Sequence, residues 1–252
     1  MQTKKLLSLL FAVLLMLSAF VGCGKQNDAS TSGESTSAQS QSSENTAEEK
    51  AGKLFADLKG SYKELWPTIL DEKYENVWLS NCAELVGEDK AKESFEMLVS
   101  FINGEVYGEE AVKAYSGKEA GSYFCGFTQN LAKLEICENS VIKGYDKDGK
   151  ELFSHTYHYV GNVDGRFTMY AFKTDDENAG EFTYFYFAPD TPESTYHIEF
   201  RYGSDQAELE KFEEGSYAYW MASGIAENCD ETMIQNCIKL FCTENLSGEE
   251  TE

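Results

Sequence analysis

Apolar residues recur at two different spacings along this chain, and the spacing changes twice. Between Asp89 and Ile102, the side chains of Ala91, Phe95, Leu98, Val99 and Ile102 share one helical stripe, which Asn103-Gly104 ends. "GEEAVKAY" reads as a second, shorter helix, whereas "FADLKGSYKELWPTIL" from Phe55 to Leu70 mixes helical and strand signals. From Gly121 the period becomes two. "SYFCGF" and "KLEIC" read as strands, and "SVIKGYDKDGKELFSHTYHYVG" as a hairpin with Asp148-Gly149 in its turn. "GRFTMYAFK", "EFTYFYFA" and "STYHIEFRY" follow as further strands.

After Gly203 the helical period returns. Asp205 with Glu208 forms a cap ahead of Leu209 and Phe212. Asp230 caps "ETMIQNCIKLFC", in which Met233, Ile234, Cys237, Ile238, Leu240 and Phe241 make a broad apolar stripe. Consecutive strands with short connections predict an antiparallel meander, and its aromatic load favours closure into a barrel. The expected fold is mainly β with flanking helices: a barrel from about Gly121 to Tyr202, with a first strand near Gly60 and helices laid against it.

The N-terminus carries a different pattern. Lys4 and Lys5 precede the apolar run "LLSLLFAVLLMLSAFVG", which ends on Cys23. This is a secretory signal covering residues 1–22, too short to favour a membrane span. "AFVGC" resembles a bacterial lipobox with Phe20 where Leu is preferred, which implies cleavage before Cys23 and lipidation of its thiol. Residues 23–52 are then a Ser-, Thr- and Glu-rich tether with little to bury. Residues 53–248 are long enough for one domain with a substantial core, and 249–252 are an acidic tail. The expected location is outside the cytoplasm, at the surface of a bacterial membrane.

A net charge of −23 excludes the basic surface that nucleic-acid binding needs. Six cysteines follow Cys23, and none forms a C-x-x-C pair. Disulfides and free buried thiols both remain open. No Gly-x-Ser-x-Gly, His-Glu-x-x-His or phosphate loop is present, so no enzymatic activity is expected. "DKDG" lacks the remaining positions of a calcium loop and reads as the hairpin turn.

In three stretches the chain resembles the ZinT (YodA) family of zinc-binding, lipocalin-like proteins. They are "DLKGSYKELWPTILD", "VIKGYDKDGKELFSHTYHYVG" and "HIEFRYGSDQAELEKFEEGSYAYW", in family order. The resemblance implies a calycin-type β-barrel with flanking helices, zinc held by histidines near the barrel mouth, and a role in zinc acquisition outside the cytoplasm. It also implies work alongside a zinc ABC importer. The family strand reads His-x-His, but here it reads His197-Ile198-Glu199. A third family histidine sits in a Phe-x-x-His context. The equivalent "FAPD" places Asp190 there if the loop is two residues shorter, and Ala188 if it is not.

Alternate strand residues share a face, so His197 and Glu199 can converge on a Zn²⁺ ion or another divalent cation. Asp190 or His158 would supply a third ligand. His158 qualifies only if its face of the strand turns toward His197; His155 reads as a surface residue. The plainer alternative makes Tyr196, Ile198 and Phe200 the core face and leaves His197, Glu199 and Arg201 solvated. Two functions follow: a tethered zinc-binding protein, or a lipocalin-like binder of a small ligand or a protein whose metal site is degenerate. If Cys23 carries the membrane attachment, Cys23→Ser moves the protein from the membrane fraction to the soluble one. Retention in the membrane fraction would refute the lipid anchor.

Overall fold

The computed structural model describes residues 46–118, 121–164 and 168–247. The signal segment, Cys23, most of the tether and the acidic tail lie outside these residues. So does Gly165–Phe167, at the head of one expected strand.

The described residues form a nine-stranded antiparallel sheet with helices against it. Its strands are β1 Gly60–Glu64, β2 Lys133–Ile136, β3 Val141–Tyr145, β4 Glu151–Thr156, β5 His158–Asp164, β6 Thr168–Lys173, β7 Tyr184–Phe187, β8 Ile198–Gly203 and β9 Ala222–Ala226. The helices are α1 Ala47–Asp57, α2 Trp66–Ile69, α3 Glu75–Val86, α4 Ala91–Ile102, α5 Glu109–Tyr115, α6 Gln206–Leu209 and α7 Glu231–Leu246. Among the described residues, no helix is long and apolar enough to cross a membrane.

The strand order is β4-β3-β2-β1-β9-β8-β7-β6-β5. Its two edges, β4 and β5, are consecutive in the chain with only Tyr157 between them. One continuous segment therefore turns a corner, pairing with β3 before Tyr157 and with β6 after it. The sheet must curl for both pairings to exist, and this gives the barrel-like form. Tyr157 holds the corner. Its N–H donates to the Ser140 carbonyl at 2.8 Å, its hydroxyl donates to the Phe182 carbonyl at 2.5 Å, and its ring meets Phe185 edge-on.

Aromatic rungs fill the concave side. The register sets Phe172 opposite Phe185, Phe185 opposite Tyr202, and Phe187 opposite Phe200. Phe185 and Tyr202 stack with ring centroids 5.3 Å apart, and Trp220 meets Tyr202 edge-on at 4.8 Å. Such cross-strand aromatic pairs stabilise a sheet by more than their area alone. From α1, Phe55 enters this cluster and meets Phe172 at 5.1 Å. That helix starts inside the stretch read as tether, with Thr46 and Glu49 forming a capping box. The ordered chain therefore extends N-terminal to residue 53.

A second apolar layer covers the convex side. Trp66, Ile69, Trp78, Ile234, Ile238 and Cys242, from α2, α3 and α7, pack there with Ile225 of β9. The Trp78 indole donates to the Ile69 carbonyl at 2.8 Å. Strand β9, "ASGIA", was not among the expected strands, because its small residues show neither alternation nor β propensity. Small size is what its position requires: a Cβ on Gly224 would stand 3.2 Å from both Ile198 and Tyr62. The expected strand "SYFCGF" is instead irregular, with Phe124 making isolated bridges to Asn103 and Trp220.

Arg201 corrects the reading of its strand. It is 0% exposed rather than solvated, because α6 and the following loop fold over it. Its guanidinium donates to the carbonyls of Leu209, Lys211 and Tyr217 and lies over the Phe212 ring at 4.7 Å. Burial lowers its pKa to about 10, still charged at neutral pH. Replacing it strands three carbonyls away from water. Arg201→Met is expected to destabilise the fold by about 3 kcal/mol. Arg201→Lys should recover little of this, since an ammonium lacks the planar fork. Urea unfolding of the three proteins checks both, and a loss below about 1 kcal/mol for Arg201→Met would contradict the anchoring role.

Candidate metal centre

His197 and Glu199 lie on the convex face of β8, between the sheet and α7. The turn before them is built by Thr191 and Thr195: the Thr195 hydroxyl bonds the Thr191 carbonyl at 3.1 Å. Tyr196 then adopts φ +66° and packs into the outer layer, not the interior as simple alternation expects. The regular strand accordingly starts at Ile198. The two candidate ligands are not solvated; each side chain is only 15% exposed.

The imidazole is oriented by the backbone. His197 Nδ1 lies 2.7 Å from the Thr195 carbonyl. A carbonyl can only accept, so Nδ1 carries the proton that is donated there. That leaves Nε2 toward Glu199, with Oε1 at 3.8 Å. A backbone-pinned Nδ1–H with Nε2 directed at the other donors is the arrangement that metal-ligating histidines use.

Asp190 arrives through the sheet register. With Phe187 opposite Phe200, the count places Ala188 opposite Glu199 and Asp190 opposite His197. The Ala188 N–H donates to the Glu199 carbonyl at 3.0 Å, so pairing continues past the strand end. Asp190 has its pKa raised to about 6, by burial first and then by the Glu199 charge, with His197 acting the other way.

Two residues that the sequence reading passed over come from α7. Cys237 Sγ stands 4.0 Å from His197 Nδ1. Glu244, seven residues further along the same helical face, also has a raised pKa. Partial burial is the main cause, and His197 opposes the upward push of Asp190 and Glu199. Only the period of α7 could have signalled these two, and it marks Cys237 simply as core. Ser223 is a further neighbour. It pairs with Glu199 across β8 and β9, is 1% exposed, and its hydroxyl has no partner among the described residues.

His197 itself is pulled both ways. Burial disfavours its charged form, but Cys237 and Glu199 together hold its pKa well above the ordinary value. Imidazole, thiol and carboxylates are the donor types zinc takes. Among the described residues, however, no three such groups already stand in one coordination sphere. The Nε2–Oε1 gap of 3.8 Å compares with about 3.3 Å between two ligands of a tetrahedral zinc. The cluster is therefore fitting in donor chemistry and open in geometry.

His158 is elsewhere. Two strands, β6 and β7, separate β5 from β8, a span of about 14 Å across the sheet. Its Nδ1 lies 3.8 Å from Asp175, with the two side chains 52% and 85% exposed. His155, read as a surface residue, is instead mostly buried, stacked on Phe153 and 3.1 Å from Asp176. Both histidines border a surface cavity of about 330 Å³ with Thr174.

No family model matches this chain, and no curated protein matches it. Solved structures similar to it include the following two. Zn(II)-bound AdcA from Streptococcus pneumoniae has 16% identity and a TM-score of 0.45, covering 75% of this chain and 35% of that one. The Zn(II)-bound ZinT-like domain of Streptococcus pneumoniae AdcA has 17% identity and a TM-score of 0.47, over 75% of this chain and 89% of that one.

Proposed function

We propose that this protein binds a divalent cation, Zn²⁺ foremost, between β8 and α7, and serves metal acquisition outside the cytoplasm. The observation that carries the reading is an oriented imidazole beside Glu199 in a largely closed site, with Asp190 and Glu244 in electrostatic reach of both. Burial raises the pKa values of Asp190 and Glu244, and repulsion from the neighbouring carboxylates adds to it. A divalent cation relieves both. His197 through Nε2 and Glu199 are the first ligands, with Asp190 from the β7 end; Glu244 would complete a set of four from the helix, while Cys237 stands on the Nδ1 side of the ring.

Lipidated Cys23 and the tether would hold the domain at the membrane, beside a zinc ABC importer that receives the ion. The role is binding and transfer rather than catalysis. A lipocalin-like small-ligand role has less support, since stacked aromatic side chains occupy the concave side of the sheet.

Isothermal titration of metal-stripped protein with Zn²⁺ is the test. His197→Ala should weaken binding at least tenfold, roughly 1.4 kcal/mol, measured well below the melting temperature of each protein because the imidazole is largely buried. Equal affinity in the two proteins would reject the site. His158→Ala serves as the control and should bind as wild type does.

The pH dependence has a definite sign. Zinc needs the lone pair on Nε2, and the metal-free imidazole holds a proton there to a higher pH than an ordinary histidine. Loading must expel that proton. Affinity should therefore start to fall at a higher pH than an ordinary histidine ligand would cause, by up to about tenfold per unit for one competing proton. It should steepen near pH 6, where Asp190 also takes up a proton. Competition titration with a chromogenic chelator measures this, and a flat profile from pH 8 to about 6 would exclude His197 as a ligand.

A further inference from the structure

Two thiols outside the candidate centre face each other. Cys82 on α3 and Cys242 on α7 are both fully buried, 160 residues apart in sequence, with their sulfurs 3.9 Å apart. We propose that these two cysteines form a disulfide that staples α7 to α3 when the chain folds in oxidising surroundings. The helices already pack side by side over the outer layer. The sulfurs have to approach by only about 1.9 Å to reach the usual bond length, which side-chain rotation can supply.

The chemistry needs an oxidant of the disulfide class, either a low-molecular-weight disulfide or the disulfide of an exchange enzyme. Before α7 closes either cysteine can be the attacking group, and the step is the same written with Cys82 first. Its thiolate attacks the donor disulfide, forms a mixed disulfide and releases one donor thiol. Cys242 then gives up its proton and attacks the Cys82 sulfur, releasing the second donor thiol. Two protein thiols lose two electrons, the donor disulfide gains them, and the two protons end on the donor thiols. Because both cysteines are enclosed in the finished fold, the reaction belongs to folding, before α7 closes.

Other cysteines have different surroundings. Cys125 contacts the Tyr123 carbonyl and Cys237 contacts His197, so neither competes at this distance. The staple would close most of the sheet into one covalent loop and restrict the unfolded chain accordingly. It would also fix the helix that brings Cys237 and Glu244 to His197. That last consequence rests on the metal reading, whereas the disulfide itself does not.

The test refolds the reduced full chain with glutathione disulfide, alkylates it without reductant, and maps its peptides. A peptide pair joining Cys82 to Cys242 is expected. The wild-type melting temperature should fall by at least about 5 °C on reduction, and that of Cys82→Ser should not respond. Alkylation of both cysteines, or a different pairing, would overturn the proposal. So would a linked pair whose reduction leaves the melting temperature unchanged. Zinc affinity is read separately, so the fate of the staple and that of the metal site are distinguishable.

Discussion

Strand β8 runs between two apolar layers, and it carries ionisable side chains into the outer one. A strand in that position cannot leave its polar groups to water, so each must be answered from within the protein. Much of the surrounding architecture follows from this. The aromatic rungs of β6, β7 and β8 use the concave face, where Ile198, Phe200 and Tyr202 belong. The convex face holds His197, Glu199 and Arg201, and two separate pieces of chain fold over it.

The convex residues are answered in different ways. Both terminal nitrogens of Arg201 donate to carbonyls at the end of α6 and in the loop beyond it. Its Nε is buried without a partner among the described residues, and the residue works as an anchor through the other two nitrogens. Toward the start of the strand the groups satisfy one another poorly. His197 has one backbone bond through Nδ1, Glu199 has no close cationic partner besides that imidazole among the described residues, and Asp190 adds a further carboxylate. The contrast between a cation held by three carbonyls and an acidic cluster whose members mainly face one another, on the same strand face, is what sets the proposed site apart from structural burial.

Helix α7 belongs to both parts of this arrangement. Its apolar stripe packs Ile234, Ile238 and Cys242 over the sheet, and Phe241 meets Trp66 at 5.0 Å and Trp78 at 5.8 Å. The same packing delivers Cys237 and Glu244 to the His197 side. Stability and site geometry are thus coupled through one helix. A change in how α7 sits on α3 would be felt at the imidazole without touching β8.

The hydrophobic periods in the sequence were enough to mark the hairpin at Asp148-Gly149, helices α4, α5 and α7, and the strands that became β6, β7 and β8. They also paired His197 with Glu199, since a period of two needs no partner strand to be read. Strand β9 was not legible: four of its five residues are small, and contact with Ile198 and Tyr62 explains the glycine at its centre. Helix α1 was hidden because its polar composition resembles the tether, and its place is decided by where Phe55 packs. The burial of Arg201 and the choice of Asp190 over His158 depend on register and on what folds over a strand face. Those are distances between residues far apart in the chain. Local pattern determines which side chains share a face, and only the tertiary structure decides what that face meets.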